Sequence, residues 1–285
     1  MIRFFAVLTT IAGLLGAPLS GASEEPRVVT ADGAITETVY RLGAGSLLVG
    51  VDTTSSYPLA TDDLPKVGYL RALPFEGVLA LKPDMLITSE KAAPQENLER
   101  LSRAGVKVEK LPSAMTPEAA MQRIERVGQL LGRSEEADGL TRDLRADIKK
   151  TQALASKRGF RPKVLFILAA GNHSVMLAGK GTAAEALLDS VGADNAVSGI
   201  MGYKPANREA ILASRPDAIV VAESTPGQFN AEDWPGVMRL AAWQSGHRLV
   251  ADGMLLLGFG PRLPQAMAEL NQVLPVSSSV AANDS

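Results

Sequence analysis

The sequence predicts an α/β protein of two lobes, each a mostly parallel sheet flanked by helices, joined by one long helix with a ligand cleft between. Three features predict it. First, a short pattern occurs twice: Phe75-Glu76-Gly77-Val78-Leu79, then Lys82-Pro83-Asp84 and an apolar run from Met85; and Arg208-Glu209-Ala210-Ile211-Leu212, then Arg215-Pro216-Asp217 and an apolar run from Ala218. In each copy a glutamate opens a short apolar turn of helix and a base-Pro-Asp step ends it, because proline resists continuing a helix. Residues that favour a sheet follow. Second, strand-like and helix-like runs alternate along the chain, the arrangement of a parallel sheet covered by helices. Third, a charged stretch with an apolar stripe lies between the two copies.

Residues 28–30 and 47–51 read as buried strands flanking a helical stretch at 34–42, and residues 85–88 and 106–111 read as further strands. Residues 133–158 are rich in charge around Leu140, Leu144, Ile148 and Leu154, roughly one helical face, which predicts a long amphipathic connector. A strand at 163–168, a helix at 183–191, the second repeat copy and a helix near 261–274 make the second lobe, and the small polar tail 277–285 is expected to fray. The expected domains are therefore a lobe at 23–132, a connecting helix at 133–158 and a lobe at 159–276.

At the N-terminus, Arg3 precedes an apolar stretch from Phe4 to Leu19, and Ser20-Gly21-Ala22 offers the small residues that signal peptidase accepts. Residues 1–22 read as a signal peptide cleaved after Ala22, which places the mature protein in the periplasm. A permanent span is disfavoured because Gly13, Gly16 and Pro18 interrupt a run shorter than the roughly 20 residues a span needs.

The 285 residues, 46% of them hydrophobic, suffice for two cores. A net charge of -2 carries no basic excess, so nucleic acid and anionic membranes are not expected partners. The absence of cysteine excludes disulfides, thiolate metal sites, a cysteine nucleophile and a lipidated cysteine. There is no Gly-x-Ser-x-Gly elbow, and Gly179-Lys180-Gly181-Thr182 lacks the upstream glycine of a phosphate-binding loop. With two histidines in no nucleophile arrangement, the chain is not expected to be an enzyme.

Val67-Gly68-Tyr69-Leu70-Arg71-Ala72-Leu73-Pro74-Phe75-Glu76-Gly77, followed by Leu81-Lys82-Pro83-Asp84, resembles the signature of periplasmic heme-binding proteins that feed bacterial heme ABC importers. Met176-Leu177-Ala178-Gly179, Thr182-Ala183-Ala184 and Gly202-Tyr203-Lys204-Pro205 are similar to further segments of that family. The resemblance implies a monomer that captures ferric heme and delivers it to an inner-membrane ABC transporter permease, with an outer-membrane heme receptor system upstream. It assigns Tyr69 as axial ligand of the iron, Arg71 as a donor to its phenolate and Tyr203 as a contact for a heme propionate. It also gives Glu76 and Glu209 the task of pairing with arginines on the two permease subunits. Cobalamin or ferric-siderophore binding, in the same class, is the alternative.

The chemistry suits those residue types. Ferric iron is a hard Lewis acid and phenolate a hard anionic donor. Free tyrosine ionises only near pH 10, so the iron and a nearby cation must favour the anion. Arg71, two residues along what reads as an extended segment, is expected on the same side as Tyr69. Met176, Met201, Met254 and Phe259 are candidate apolar walls, or ordinary core. His173, just after the first strand of the second lobe, stands open between a second heme ligand, as in some relatives, and a plain loop histidine. For Glu76 and Glu209, a structural role at helix starts remains a second explanation.

Overall fold

The computed structural model describes residues 25–170 and 175–276. The expected signal peptide, His173 and the 277–285 tail lie outside the described residues.

The chain begins with β1 (Val28–Ala31), α1 (Gly33–Arg41), β2 (Leu48–Val51), α2 (Phe75–Leu79), β3 (Met85–Ser89), α3 (Gln95–Arg103) and β4 (Lys107–Leu111). Their four strands form one parallel sheet in the order β2-β1-β3-β4. Next come α4 (Pro117–Leu130) and the 24-residue α5 (Ser134–Lys157). The second half runs through β5 (Lys163–Ala169), β6 (Val175–Ala178), α6 (Ala183–Ser190), β7 (Asp194–Asn195), β8 (Tyr203–Pro205) and α7 (Arg208–Ala213). It ends with β9 (Ala218–Glu223), α8 (Pro235–Met238), α9 (Ala241–Gln244), β10 (Arg248–Asp252), α10 (Gly253–Leu257) and α11 (Leu263–Val273).

The second sheet has the order β10-β9-β5-β6-β8, with β7 beside β5. Strands β10, β9, β5 and β7 are parallel, but β6 pairs antiparallel with β5 and β8 antiparallel with β6. The sheet is thus mixed. Strand β6 starts too soon after β5 for a helical crossover of a dozen or more residues, so the chain can only turn back.

Strand periodicity sorts the side chains into three cores. Val28 of β1, Met85 and Ile87 of β3, Val164 and Phe166 of β5, and Val220 of β9 belong to one cluster that also takes in α1, α4, α5, α6, α10 and α11. The alternate residues Val29 and Leu86 face a second cluster with Val78 of α2 and Leu98 of α3. Leu165, Ile167, Ile219 and Val221 face a third with Ile211 of α7 and Val237 of α8. The inner faces of both sheets therefore share one continuous apolar core, and each outer face has its own cover.

Helix α5 is more than a strut. It packs on α4 and α11 and buries Ala137, Thr141, Leu144, Ile148 and Thr151. Leu154, expected on the same stripe, is 57% exposed, because a step of six residues from Ile148 turns the side chain well off the buried face.

The two repeat copies fold alike. Lys82 (φ 46°) and Arg215 (φ 36°) both adopt left-handed backbone before their prolines. Asp84 Oδ2 then accepts from the Arg27 N–H at 2.8 Å, and Asp217 Oδ2 accepts from the Lys163 N–H at 2.8 Å. Each repeat aspartate thus ties its copy to the residue that precedes or opens the central strand of its sheet.

Candidate functional site

Tyr69 stands on a braced loop. Gly68 takes φ +101°, and a Cβ there would lie 2.9 Å from Pro74 Cδ, so glycine alone fits the turn that presents Tyr69. Leu70 is buried in the first sheet's outer core and anchors the loop. The Ala93 N–H donates to the Leu70 carbonyl at 3.0 Å, and the Leu73 N–H donates to the Ala93 carbonyl at 2.7 Å. Leu70, Arg71 and Ala72 form a turn of 3-10 helix rather than the extended segment read from the sequence. The Ala72 N–H reaches back to the Tyr69 carbonyl at 2.8 Å and curls the chain there. Tyr69 and Arg71 nonetheless line the same cleft.

That cleft has a volume of about 800 Å³, within the range of ligand sites. One wall carries Tyr69, Arg71, Lys91 and Met115, and the opposite wall carries Thr182, Ala183, Tyr203, Met254 and Leu257. Tyr69 is 46% exposed, free to meet a ligand. Tyr203, on β8, is half-buried and makes polar contacts with the Thr182 side chain and the Ala184 backbone at the start of α6. Burial pushes its phenol pKa up, opposed by those contacts and by the charge of Arg71. A phenol held neutral is a hydrogen-bond donor, which suits a ligand carboxylate. Arg71 and Tyr203 both line the cleft, and the charge of Arg71 acts on the Tyr203 phenol.

Lys91 follows β3, at the C-terminal edge of the parallel sheet where such folds commonly hold ligands. Burial lowers its pKa; Asp32 opposes that, while Arg71 and Arg123 add to it. Asp32 caps α1 by accepting from the Ala34 N–H at 3.1 Å. Beneath it, Asp52 is fully buried and accepts from the Thr54 and Ser55 hydroxyls at 2.8 Å and from the Asp32 N–H at 3.2 Å. Burial pushes the Asp52 carboxyl up, and these hydrogen bonds only partly offset it. Sequence reading missed Lys91, although the strand-edge rule applied to His173 points equally to the residue two places after β3.

Of the four proposed wall residues, Met254 lines the cleft. Phe259 is core, Met201 is 67% exposed, and Met176 lies within β6 away from the lining. Glu76 and Glu209 are each the second residue of their helices, α2 and α7, and both are exposed outside the cleft. Glu76 Oε1 meets Arg100 Nη2 at 3.4 Å, and the Arg100 guanidinium in turn covers the Phe75 ring at 3.9 Å.

The periplasmic binding protein family model matches residues 28–253. A periplasmic heme-binding protein from Pseudomonas aeruginosa superposes with a TM-score of 0.78 at 37% identity, covering 87% of this chain and 92% of the other. The periplasmic heme-binding protein RhuT from Roseiflexus, in apo form, gives a TM-score of 0.79 at 32% identity, over 88% of this chain and 98% of the other. The vitamin B12-binding protein of Salmonella typhimurium is 26% identical over 198 residues, 69% of this chain and 72% of its own length. With its α/β fold, its cleft and the family match over most of its length, the chain belongs to the periplasmic binding protein family, whose members serve ABC transporters as substrate-binding proteins and are not enzymes.

Proposed function

We propose that this protein captures ferric heme in the periplasm and delivers it to an inner-membrane ABC permease. One observation carries the reading: Tyr69 and Arg71, from a loop beside the first sheet, and Tyr203, from strand β8 of the second, converge on a single cleft. The porphyrin is a broad apolar plate with two carboxylates at one edge, and the cleft offers Leu70, Met115, Met254 and Leu257 beside the polar set. Tyr69 binds the iron through its phenol oxygen, Arg71 donates to that oxygen, and Tyr203 donates to a propionate. The two solved relatives named above, both heme-binding proteins, support the same ligand.

In this reading residues 1–22 direct export, residues 23–132 and 159–276 are the lobes, and residues 133–158 connect them. The protein acts as a monomer and receives heme that an outer-membrane receptor system has brought across. Glu76 and Glu209 dock one lobe on each permease subunit. For His173, hemin titration of His173→Ala separates a second heme ligand from a plain loop histidine.

The test is the visible spectrum of the purified protein mixed with hemin. A high-spin, tyrosinate-type ferric spectrum that is lost in Tyr69→Ala supports the reading; an unchanged spectrum on adding hemin overturns it. A corrinoid cargo is the second reading, favoured by the similarity to the vitamin B12-binding protein. Tight binding of cyanocobalamin with no response to hemin would establish it instead.

A further inference from the structure

Lys91 is a cation in the cleft wall with almost nothing to hold. Among the described residues, the one hydrogen-bond partner of its ammonium is the Met115 sulfur, at 3.8 Å, a weak acceptor for a group with three donors. It forms no ion pair there, although Asp32 is close enough to be felt. The Asp32 carboxylate is already engaged in capping α1, and the other charges near Lys91, Arg71 and Arg123, are positive. Arg123 is itself satisfied by the carbonyls of Ala114 at 2.7 Å and Phe259 at 2.8 Å. A partly buried ammonium with no anion is an unfavourable arrangement that an incoming anion would relieve.

The loops that carry Lys91 and Arg71 are joined by the paired backbone hydrogen bonds between Ala93 and residues Leu70 and Leu73, so the two cations hold a fixed relation. The opposite wall has the other sign. Glu185 accepts from the Gly181 N–H at 2.7 Å, and Asp189 pairs with Arg161 at 2.9 Å; both line the cleft. A ligand bearing carboxylate is therefore drawn to the Arg71–Lys91 side.

The geometry points to Lys91 as a specificity-determining residue that receives a carboxylate of the bound tetrapyrrole and selects against ligands whose side arms are uncharged amides. This rests on the heme reading above and adds to it the means by which a dicarboxylate porphyrin is told from a corrinoid. A charged donor facing a carboxylate favours the charged ligand, whereas an amide leaves the ammonium still unpaired.

The experiment is a titration of the mature protein with hemin and with hemin dimethyl ester, for the wild type, Lys91→Met, Lys91→Gln and Lys91→Arg. Lys91→Met and Lys91→Gln should weaken hemin binding about 10- to 100-fold and change diester binding by less than about 2-fold, and Lys91→Arg should restore most of the loss. The tyrosinate-type spectrum should persist in every variant, because the iron ligand is elsewhere. Equal effects on hemin and its diester, or hemin affinities within about 2-fold of wild type for both uncharged variants, would overturn the role of Lys91 while leaving the heme reading intact. A wild type that ignores hemin altogether would remove the heme reading and this inference with it.

Discussion

Arg262, just ahead of α11, reaches back 225 residues to Glu37 in α1: its Nε lies 3.0 Å from Glu37 Oε2, and its Nη2 closes on Oε1. Its Nη1 lies 3.2 Å from Asp252 Oδ2, and the Tyr57 ring covers the guanidinium at 4.0 Å. Burial raises the pKa of Glu37, and Arg262 opposes that shift. Burial alone would lower the pKa of Arg262, but Glu37 and Asp252 outweigh it and raise it. With Arg123 donating to the Phe259 carbonyl and the shared apolar core beneath, the pair ties α1 to the start of α11.

Removing the cation leaves a buried carboxylate alone. Arg262→Ala should therefore lower unfolding stability by about 3–5 kcal/mol, read by denaturant titration. The double variant Glu37→Leu, Arg262→Met should recover most of that loss, because apolar side chains of similar volume need no partner. A single variant less than about 1 kcal/mol below wild type would show that the pair contributes little.

Asp52 makes a pH-dependent contribution of known sign. Its folded-state pKa is raised by burial, so the folded protein holds this proton more tightly than the unfolded chain. The resulting stabilisation is complete below the ordinary carboxyl value of about 3.9 and is lost as pH rises through the higher folded value. Asp52→Asn cannot titrate. The melting temperature of wild type minus that of Asp52→Asn should accordingly be greater near pH 4 than near pH 7. A difference that is flat, or that grows with pH, contradicts the burial of an ionising group at this position.

Gly68→Ala tests whether the Tyr69 loop is held in one conformation. Alanine at φ +101°, with Pro74 Cδ 2.9 Å from the new Cβ, should cost about 1–2 kcal/mol or displace the loop. Either result weakens hemin binding without touching a ligand-contacting side chain. Wild-type melting together with a wild-type titration curve would show that the glycine is dispensable.

Glu76→Arg with Glu209→Arg addresses docking. Both glutamates are exposed and neither lines the cleft, and an exposed pair such as Glu76–Arg100 contributes at most about 1 kcal/mol. The double variant should fold, bind hemin as wild type does, and fail to support permease-dependent uptake. Uptake at the wild-type rate would leave the two glutamates with only their place in the first turn of a helix.

Most regular elements were legible in the sequence because each is set by a local pattern. Continuous apolar runs such as Met85-Leu86-Ile87, which suit a strand buried on both faces, gave β3, and the base-Pro-Asp steps at Lys82 and Arg215 marked both repeat copies. Leu154 is exposed because a six-residue step from Ile148 carries it off the helical face that the stripe follows. The antiparallel β6 and β8 escaped notice because their direction depends on the length of the return from β5 and not on composition.

By itself, then, the sequence determined the strand and helix pattern, the duplication and the Tyr69 motif, all of which rest on neighbours within about a dozen residues. Only the tertiary structure decided that Arg71 and Tyr203 would line one cleft, that Lys91 would stand in it with no ion-pair partner among the described residues, and that Glu37 would meet Arg262. Such pairings join residues from tens to more than two hundred positions apart, and they are fixed when both sheets close on one core, which no local pattern encodes.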